Sequence, residues 1–127
     1  MAVNNLEDLK VWQEARILCQ EVYSTIKTFP AEEKYNIVKH LRENSRGLPS
    51  NIAEGFYRFH YQESIHFYLI ARGCLGEMKS DLYLSFDEKY ISQEEFNNFL
   101  SKIEKIFIML NSLIKSTKEL KNDNSQT

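Results

Sequence analysis

The chain contains few of the residues that break or cross-link a polypeptide, with two prolines, four glycines and two cysteines among 127 residues. The cysteines, Cys19 and Cys74, cannot build a disulfide framework and do not match the spacing of a zinc site. We therefore expect two free thiols that pack as small apolar groups, in a protein of the reducing cytoplasm. Because breakers are scarce and no stretch alternates apolar with polar residues, the sequence predicts helices rather than strands.

Long hydrophobic runs and an excess of one charge are also missing. The longest apolar runs, Phe67 to Ala71 and Ile106 to Leu110, are far too short to cross a bilayer, so no membrane partner is expected. The opening residues, MAVNNLEDL, have no basic segment followed by an apolar one, and no secretory signal is predicted. A formal net charge of −2 excludes a general polycation but leaves room for a local basic patch.

What the sequence does have is a helical hydrophobic period along most of its length, with 43% hydrophobic residues. The period predicts one all-α domain over residues 1–127, an antiparallel up-down-up-down four-helix bundle with short connections. The helices are expected at about residues 6–28, 31–59, 61–88 and 92–120, and the tail at 121–127 is expected to fray. Ser92 and Glu95 have the spacing of a capping box at the start of the fourth helix.

The second helix is unusual, because the stretch LPSNIAEGFYR at residues 48–58 places Pro49 and Gly55 inside a helical pattern. The apolar stripe nevertheless keeps its spacing across the proline. We therefore predict one long helix, kinked where Pro49 leaves the carbonyl of Ser45 without its donor. The predicted stripe consists of Tyr35, Val38, Leu41, Ser45, Leu48, Ile52, Phe56 and Phe59.

One flank of this helix collects small, amide and charged residues, namely Asn44, Gly47, Asn51, Glu54, Gly55 and Arg58. Two interpretations are open. The flank is either a solvated surface with an ion pair between Glu54 and Arg58, or a contact between protomers in which Asn51, Glu54 and Arg58 form a satisfied polar network. Since a proline and a glycine inside a helix cost about 3 and 1 kcal/mol, the sequence favours a contact that offsets them.

The third helix is expected to carry a second apolar line, Phe67, Ile70 and Cys74, beside its core-facing one. A bundle buries only one face of each helix. The line therefore indicates a wide core face, self-association, or exposed aromatic rings that stack on nucleic-acid bases. Self-association is the most economical of these interpretations, and it adds Phe67 and Ile70 to the candidate protomer interface.

The other flank of the second helix has a narrow basic line formed by Lys39, Arg42 and Arg46. These residues are the candidates for binding RNA or DNA, since repetition around a ring of protomers raises the local field. Lys102 and Lys105 are expected to add further charge.

Enzymatic chemistry is not predicted. Glu63 and His66 give one copy of the Glu-x-x-His motif that a di-metal bundle needs twice. Neither cysteine has a histidine close in the pattern to activate it, and no glycine-rich loop is present to hold a phosphate. We expect no catalytic residue, no metal ligand and no cofactor.

Four stretches, LKVWQEA, FPAEEKY, LPSNIAEGFYR and YLIARGCLGEMKSDL, resemble the bacterial four-helix-bundle proteins first noted as products of intervening sequences in large-subunit ribosomal RNA genes. The resemblance covers about residues 9–90. It implies an antiparallel protomer assembled into a homopentamer, with no known enzymatic activity. The matching residues are Trp12, Pro30, Tyr35, Arg42, Pro49, Asn51, Ala53, Glu54, Gly55, Arg58, Ala71, Gly73, Leu75 and Glu77.

A related branch of these proteins, the accessory variability determinant of diversity-generating retroelements, is similar in fold. That similarity implies a basic surface that binds nucleic acid and a reverse transcriptase. The present chain departs from the family pattern in having Glu43 where a second basic residue is usual, which weakens the basic line, and Cys74 where serine is usual.

The leading hypothesis is therefore a non-enzymatic, homo-oligomeric scaffold or adaptor. The alternative is a nucleic-acid-binding accessory protein, and an adaptor for a protein such as a polymerase is a third.

Overall fold

Four α-helices account for most of the backbone in the computed structural model, which describes residues 3–125, with side chains for residues 3–123. The helices are α1 (Lys10–Thr25), α2 (Ile37–Phe56), α3 (Tyr61–Asp87) and α4 (Gln93–Ser125). Single 3-10 turns occur at Leu6–Asp8, Ile26–Thr28 and Ala31–Glu33. No strand occurs between residues 3 and 125, and the all-α prediction is confirmed.

Each helix packs against the next in the chain, and α1 also packs against α4. Contacts between α3 and α4 show that the two helices run in opposite directions. Arg72 Nη1 donates a hydrogen bond to Asn111 Oδ1 at 3.0 Å, and Lys79 Nζ lies 2.8 Å from Glu104 Oε1. As residue numbers rise along α3 they fall along α4, as the predicted antiparallel four-helix bundle requires.

The core lies along the axis of the bundle, where the apolar stripes of the four helices meet. Burying one such side chain contributes about 1.5–3 kcal/mol. Two buried serines, Ser45 and Ser85, donate their hydroxyl protons to the carbonyl oxygens of Arg42 and Asp81. The largest fully buried apolar side chains are Leu18, Val22, Leu41, Leu48, Ile52, Leu75, Met78, Leu82, Ile103, Ile106 and Leu110.

The second helix continues through Pro49, which confirms the prediction of a continuous helix there; the kink stays a prediction. It is shorter than the predicted span of 31–59, however. Tyr35 and Phe59 lie outside it and are 75% and 91% exposed, so their assignment to the core stripe was wrong. The backbone of Asn36, at φ −117° and ψ −107°, is not helical.

A tertiary contact explains why the segment before α2 does not join the helix. The Tyr90 hydroxyl donates to Glu33 Oε2 at 3.1 Å, and the Tyr90 ring lies 5.2 Å from that of Phe29. The segment is therefore held against the turn between α3 and α4, and helical periodicity alone contains no information about this contact.

The start of α4 agrees with the prediction made from the sequence. The Glu95 backbone N–H donates to Ser92 Oγ at 3.1 Å, and the Ser92 N–H donates to Glu95 Oε1 at 2.9 Å, which confirms the capping box. The helix continues to Ser125, beyond the predicted start of fraying; residues 126–127 of the predicted tail lie outside the described residues. Along residues 3–125, no helix combines the length and apolarity needed to cross a membrane.

Candidate interaction surfaces on either side of α2

The residues singled out from the sequence fall on two sides of α2. We call the side next to α3 the α2–α3 groove; it contains Asn44, Gly47, Asn51, Glu54, Gly55, Arg58, Phe67 and Ile70. We call the side next to α1 the α1–α2 surface; it contains the basic line, Lys39, Arg42 and Arg46.

The two glycines of the α2–α3 groove let α3 of the same chain approach α2. A Cβ atom added at the buried Gly55 would lie 2.5 Å from Tyr68 Cε1 and 2.9 Å from the carbonyl oxygen of Ser64. A Cβ atom at Gly47 would lie 3.1 Å from Cys74 Sγ. Both residues thus have a reason to be small within a single protomer, and their presence no longer argues for a second copy.

The amides and charges of the groove also find partners within their own segment. Asn44 Nδ2 donates to the His40 carbonyl at 3.1 Å, and Asn51 Nδ2 donates to the Gly47 carbonyl at 2.8 Å. Arg58 Nη2 lies 2.9 Å from Glu54 Oε2 in an exposed i,i+4 pair. The ion pair of the first interpretation is therefore present, and within one protomer Asn51 bonds the backbone rather than Glu54 or Arg58.

The second apolar line of α3 is only partly covered. The Arg58 guanidinium carbon lies 4.6 Å from the centroid of the Phe67 ring, and Cys74 is half-buried beside Gly47. Ile70 remains 40% exposed, and its neighbour Leu69 is 39% exposed. A wide core face therefore explains Phe67 and Cys74 but leaves Ile70 and Leu69 in contact with solvent.

The far end of the same groove is acidic. A cavity of about 300 Å³ there is lined by His40, Glu43, Asn44, Glu77, Ser80 and Asp81. Burial raises the pKa of Asp81; His40 nearby lowers it and Glu77 raises it further. The α2–α3 groove thus changes from apolar near Phe67 to acidic near Asp81.

The α1–α2 surface has the opposite charge. Lys39, Arg42 and Arg46 are exposed, and the Arg42 guanidinium carbon lies 5.9 Å from the centroid of the Tyr23 ring on α1. A fourth cation, Arg16 on α1, lies 5.6 Å from the centroid of the Trp12 indole. None of the four makes an ion pair with a described carboxylate.

Arg16 was missed by sequence reasoning, which considered basic residues of the second and fourth helices but not of the first. The available signal was its position four residues after Trp12, which places both residues on one face of α1.

A cavity of about 530 Å³ lies on this surface between α1 and α2. We call it the α1–α2 cavity. Burial raises the pKa of Cys19 in its wall, and this effect is opposed by the Ser45 hydroxyl and by Arg46. The lining residues are Leu6, Trp12, Arg16, Cys19, Gln20, Arg46, Pro49, Ser50 and Ala53.

Lys102 and Lys105 do not extend the basic line as predicted. Lys102 pairs with Glu21, and Lys105 Nζ lies 3.1 Å from Glu14 Oε1, so both face carboxylates of α1. Their charges are balanced locally, and the prediction that they add free positive charge was wrong.

The Glu-x-x-His motif lies at the start of α3, where Glu63 and His66 are both exposed. Among the described residues, no group of three or more His, Cys, Asp or Glu side chains is arranged to hold a metal ion.

Comparisons with known proteins agree with this architecture. The profile of the 23S rRNA-intervening sequence protein family matches residues 7–112. A crystal structure of a protein of unknown function from the S23 ribosomal protein family of Bacteroides thetaiotaomicron superimposes with a TM-score of 0.77 at 21% identity, over 83% of this chain and 95% of that one. At that identity the likeness shows a common fold. No curated protein sequence matches the chain.

Proposed function

The chain belongs to the 23S rRNA-intervening sequence protein family, and from that premise we propose that it is a non-enzymatic scaffold or adaptor that acts as a homo-oligomer, with a pentamer expected. The observation that carries the proposal is the apolar strip on the outside of α3 formed by the half-buried Phe67 and the exposed Ile70, with Leu69 exposing further apolar surface beside Ile70. An uncovered apolar strip at the edge of a groove is typical of a surface that another protein covers.

A non-enzymatic role is supported by the state of the two thiols. Burial raises the pKa of both Cys19 and Cys74, and Glu77 raises that of Cys74 further. A raised pKa disfavours the thiolate, which is the nucleophilic form, so neither cysteine is prepared for covalent catalysis.

Light scattering coupled to size-exclusion chromatography tests the assembly. The protomer mass is 15.0 kDa, and we expect the wild-type protein at micromolar concentration to elute as a pentamer of five such masses. Ile70→Asp places a charge in the strip and is expected to shift the mass toward one protomer. Leu120→Asp, at an exposed position on α4, is the matched control and should leave the mass unchanged. A monomeric wild-type protein would contradict the proposal.

A second function, binding of RNA or DNA, is supported by a separate observation. Lys39, Arg42, Arg46 and Arg16 lie on one side of the protein without carboxylate partners among the described residues. Phosphate groups are the natural partners of such cations, and a ring of protomers repeats them.

A titration with labelled single-stranded RNA and DNA tests the second function. Affinity should fall steeply as salt rises, and Arg42→Gln should weaken binding and reduce the salt slope by about one. Lys118→Gln, which removes one exposed charge from α4, is the control. Equal affinity at low and moderate salt would mean that phosphates are not the ligand.

A further inference from the structure

We propose that the α1–α2 cavity is a binding site for one nucleotide unit, a phosphorylated sugar that bears an aromatic base. The proposal rests on the nucleic-acid function above and assigns it a specific pocket. The same chemistry is present in a free mononucleotide and in one residue of a single strand, and the experiment below distinguishes these sources.

The size and composition of the cavity suit a ligand with one apolar and one anionic part. Its volume of about 530 Å³ lies within the range of about 300–1,000 Å³ that is usual for small-molecule sites. Leu6, Pro49 and Ala53 supply apolar wall, and Trp12 supplies an aromatic ring. Cavities of this kind bind a flat ring on the apolar side and orient it with a few polar groups.

The anionic part of the ligand is recognised by two arginines from different helices. Arg16 of α1 and Arg46 of α2 both line the cavity, and neither makes an ion pair with a described carboxylate. A guanidinium group presents a planar set of donors that matches a phosphate in bidentate geometry, and two of them surround it better than one. The Ser50 hydroxyl and the Gln20 amide lie in the same wall and can bond to the sugar or to the edge of the base.

The aromatic part of the ligand is recognised by Trp12. The indole is half-buried, and Arg16 already lies 5.6 Å from its centroid. A base stacks on such a ring whatever its identity, and arginine adds a cation–π contribution. The pocket therefore favours a nucleotide over an inorganic anion without selecting one base.

One nearby carboxylate disfavours the binding of an anionic ligand, and its removal gives a further test of the proposal. Glu7 lines an adjacent cavity of about 240 Å³ together with Trp12, Arg16 and Gln20. Its carboxylate makes no ion pair with Arg16, but its negative charge repels a phosphate bound nearby, so Glu7→Gln should tighten nucleotide binding a few-fold.

Trp12 is the only tryptophan of the chain, so its fluorescence reports directly on the cavity. AMP and a short single-stranded oligonucleotide are titrated in parallel, with adenosine and sodium phosphate as half-ligands. We expect AMP and the oligonucleotide to quench the Trp12 emission, and adenosine and sodium phosphate each to bind more weakly than AMP. Arg16→Gln and Arg46→Gln should each weaken binding by about tenfold. Ala53→Leu should block the cavity, and Lys118→Gln should change nothing.

The outcomes separate this inference from the wider function. If AMP leaves the emission unchanged and the oligonucleotide binds wild type and Arg16→Gln equally, the pocket is wrong, while a loss in Arg42→Gln would still support nucleic-acid binding. If AMP binds and the oligonucleotide does not, the pocket is a free-nucleotide site and the wider function fails. If sodium phosphate binds as tightly as AMP, an anion site without base recognition replaces the proposal. Circular dichroism confirms that each variant is folded.

Discussion

The two sides of α2 contrast in how their polar and small residues are used. On the α3 side, glycines admit the neighbouring helix, and the amides bond to carbonyls of their own helix. On the α1 side, arginines flank an open cavity and have no carboxylate partner among the described residues. Small residues therefore mark a close intramolecular contact here, and cations without partners mark the side that is available to a ligand.

The largest expected effect tests how closely α3 approaches α2 at Gly55. Gly55→Ala should lower the free energy of unfolding by about 1–3 kcal/mol, because the new methyl group meets the Tyr68 ring and the backbone oxygen of Ser64. Gly76→Ala is the control, since no atom lies within 4 Å of its Cβ position, and it should stabilise the exposed helix by up to about 1 kcal/mol. Urea unfolding measures both. Equal effects of the two substitutions would show that α3 does not approach α2 closely at Gly55.

A smaller loss of stability is expected at alkaline pH, and it comes from the Tyr68 side chain at the same contact between α2 and α3. Burial raises the pKa of Tyr68 to about 12, above its ordinary value near 10. Between these values the unfolded chain releases the Tyr68 proton and the folded chain retains it, so stability should fall as pH rises from about 10 to about 12. The loss is complete above the folded pKa.

Thermal unfolding of Tyr68→Phe isolates this contribution from that of the other tyrosines. The variant keeps the ring that packs against Gly55 but has no hydroxyl to titrate. Its stability should fall less than that of the wild type over the same pH range, whereas parallel curves would show that the Tyr68 hydroxyl is solvated.

The smallest effect is expected at the exposed ion pair of the groove. Glu54→Gln should change the free energy of unfolding by less than about 0.5 kcal/mol, since water and salt screen the pair with Arg58. Chemical denaturation at low and high protein concentration measures it. A loss above about 1 kcal/mol that appears only at high concentration would mean that a second copy covers the pair, and it would support the predicted polar network between protomers.

The spacing of residues within single segments was enough to predict much of the fold and the basic line on α2. The capping box at Ser92 and the continuity of α2 through Pro49 follow from spacing within one segment. Tyr35 and Phe59 were wrongly assigned to the core stripe, because the spacing of apolar residues does not show where along a helix the neighbouring helices stop packing against it. Arg16 was missed because it joins the basic line only when α1 lies beside α2.

The sequence by itself determined the four helices, their order and the faces that form the core, because these depend on interactions between residues three or four positions apart. Only the tertiary structure decided which glycines admit a neighbouring helix, which lysines are paired and which arginines share a cavity. Those properties depend on distances between helices, which are set when the faces of the bundle pack together.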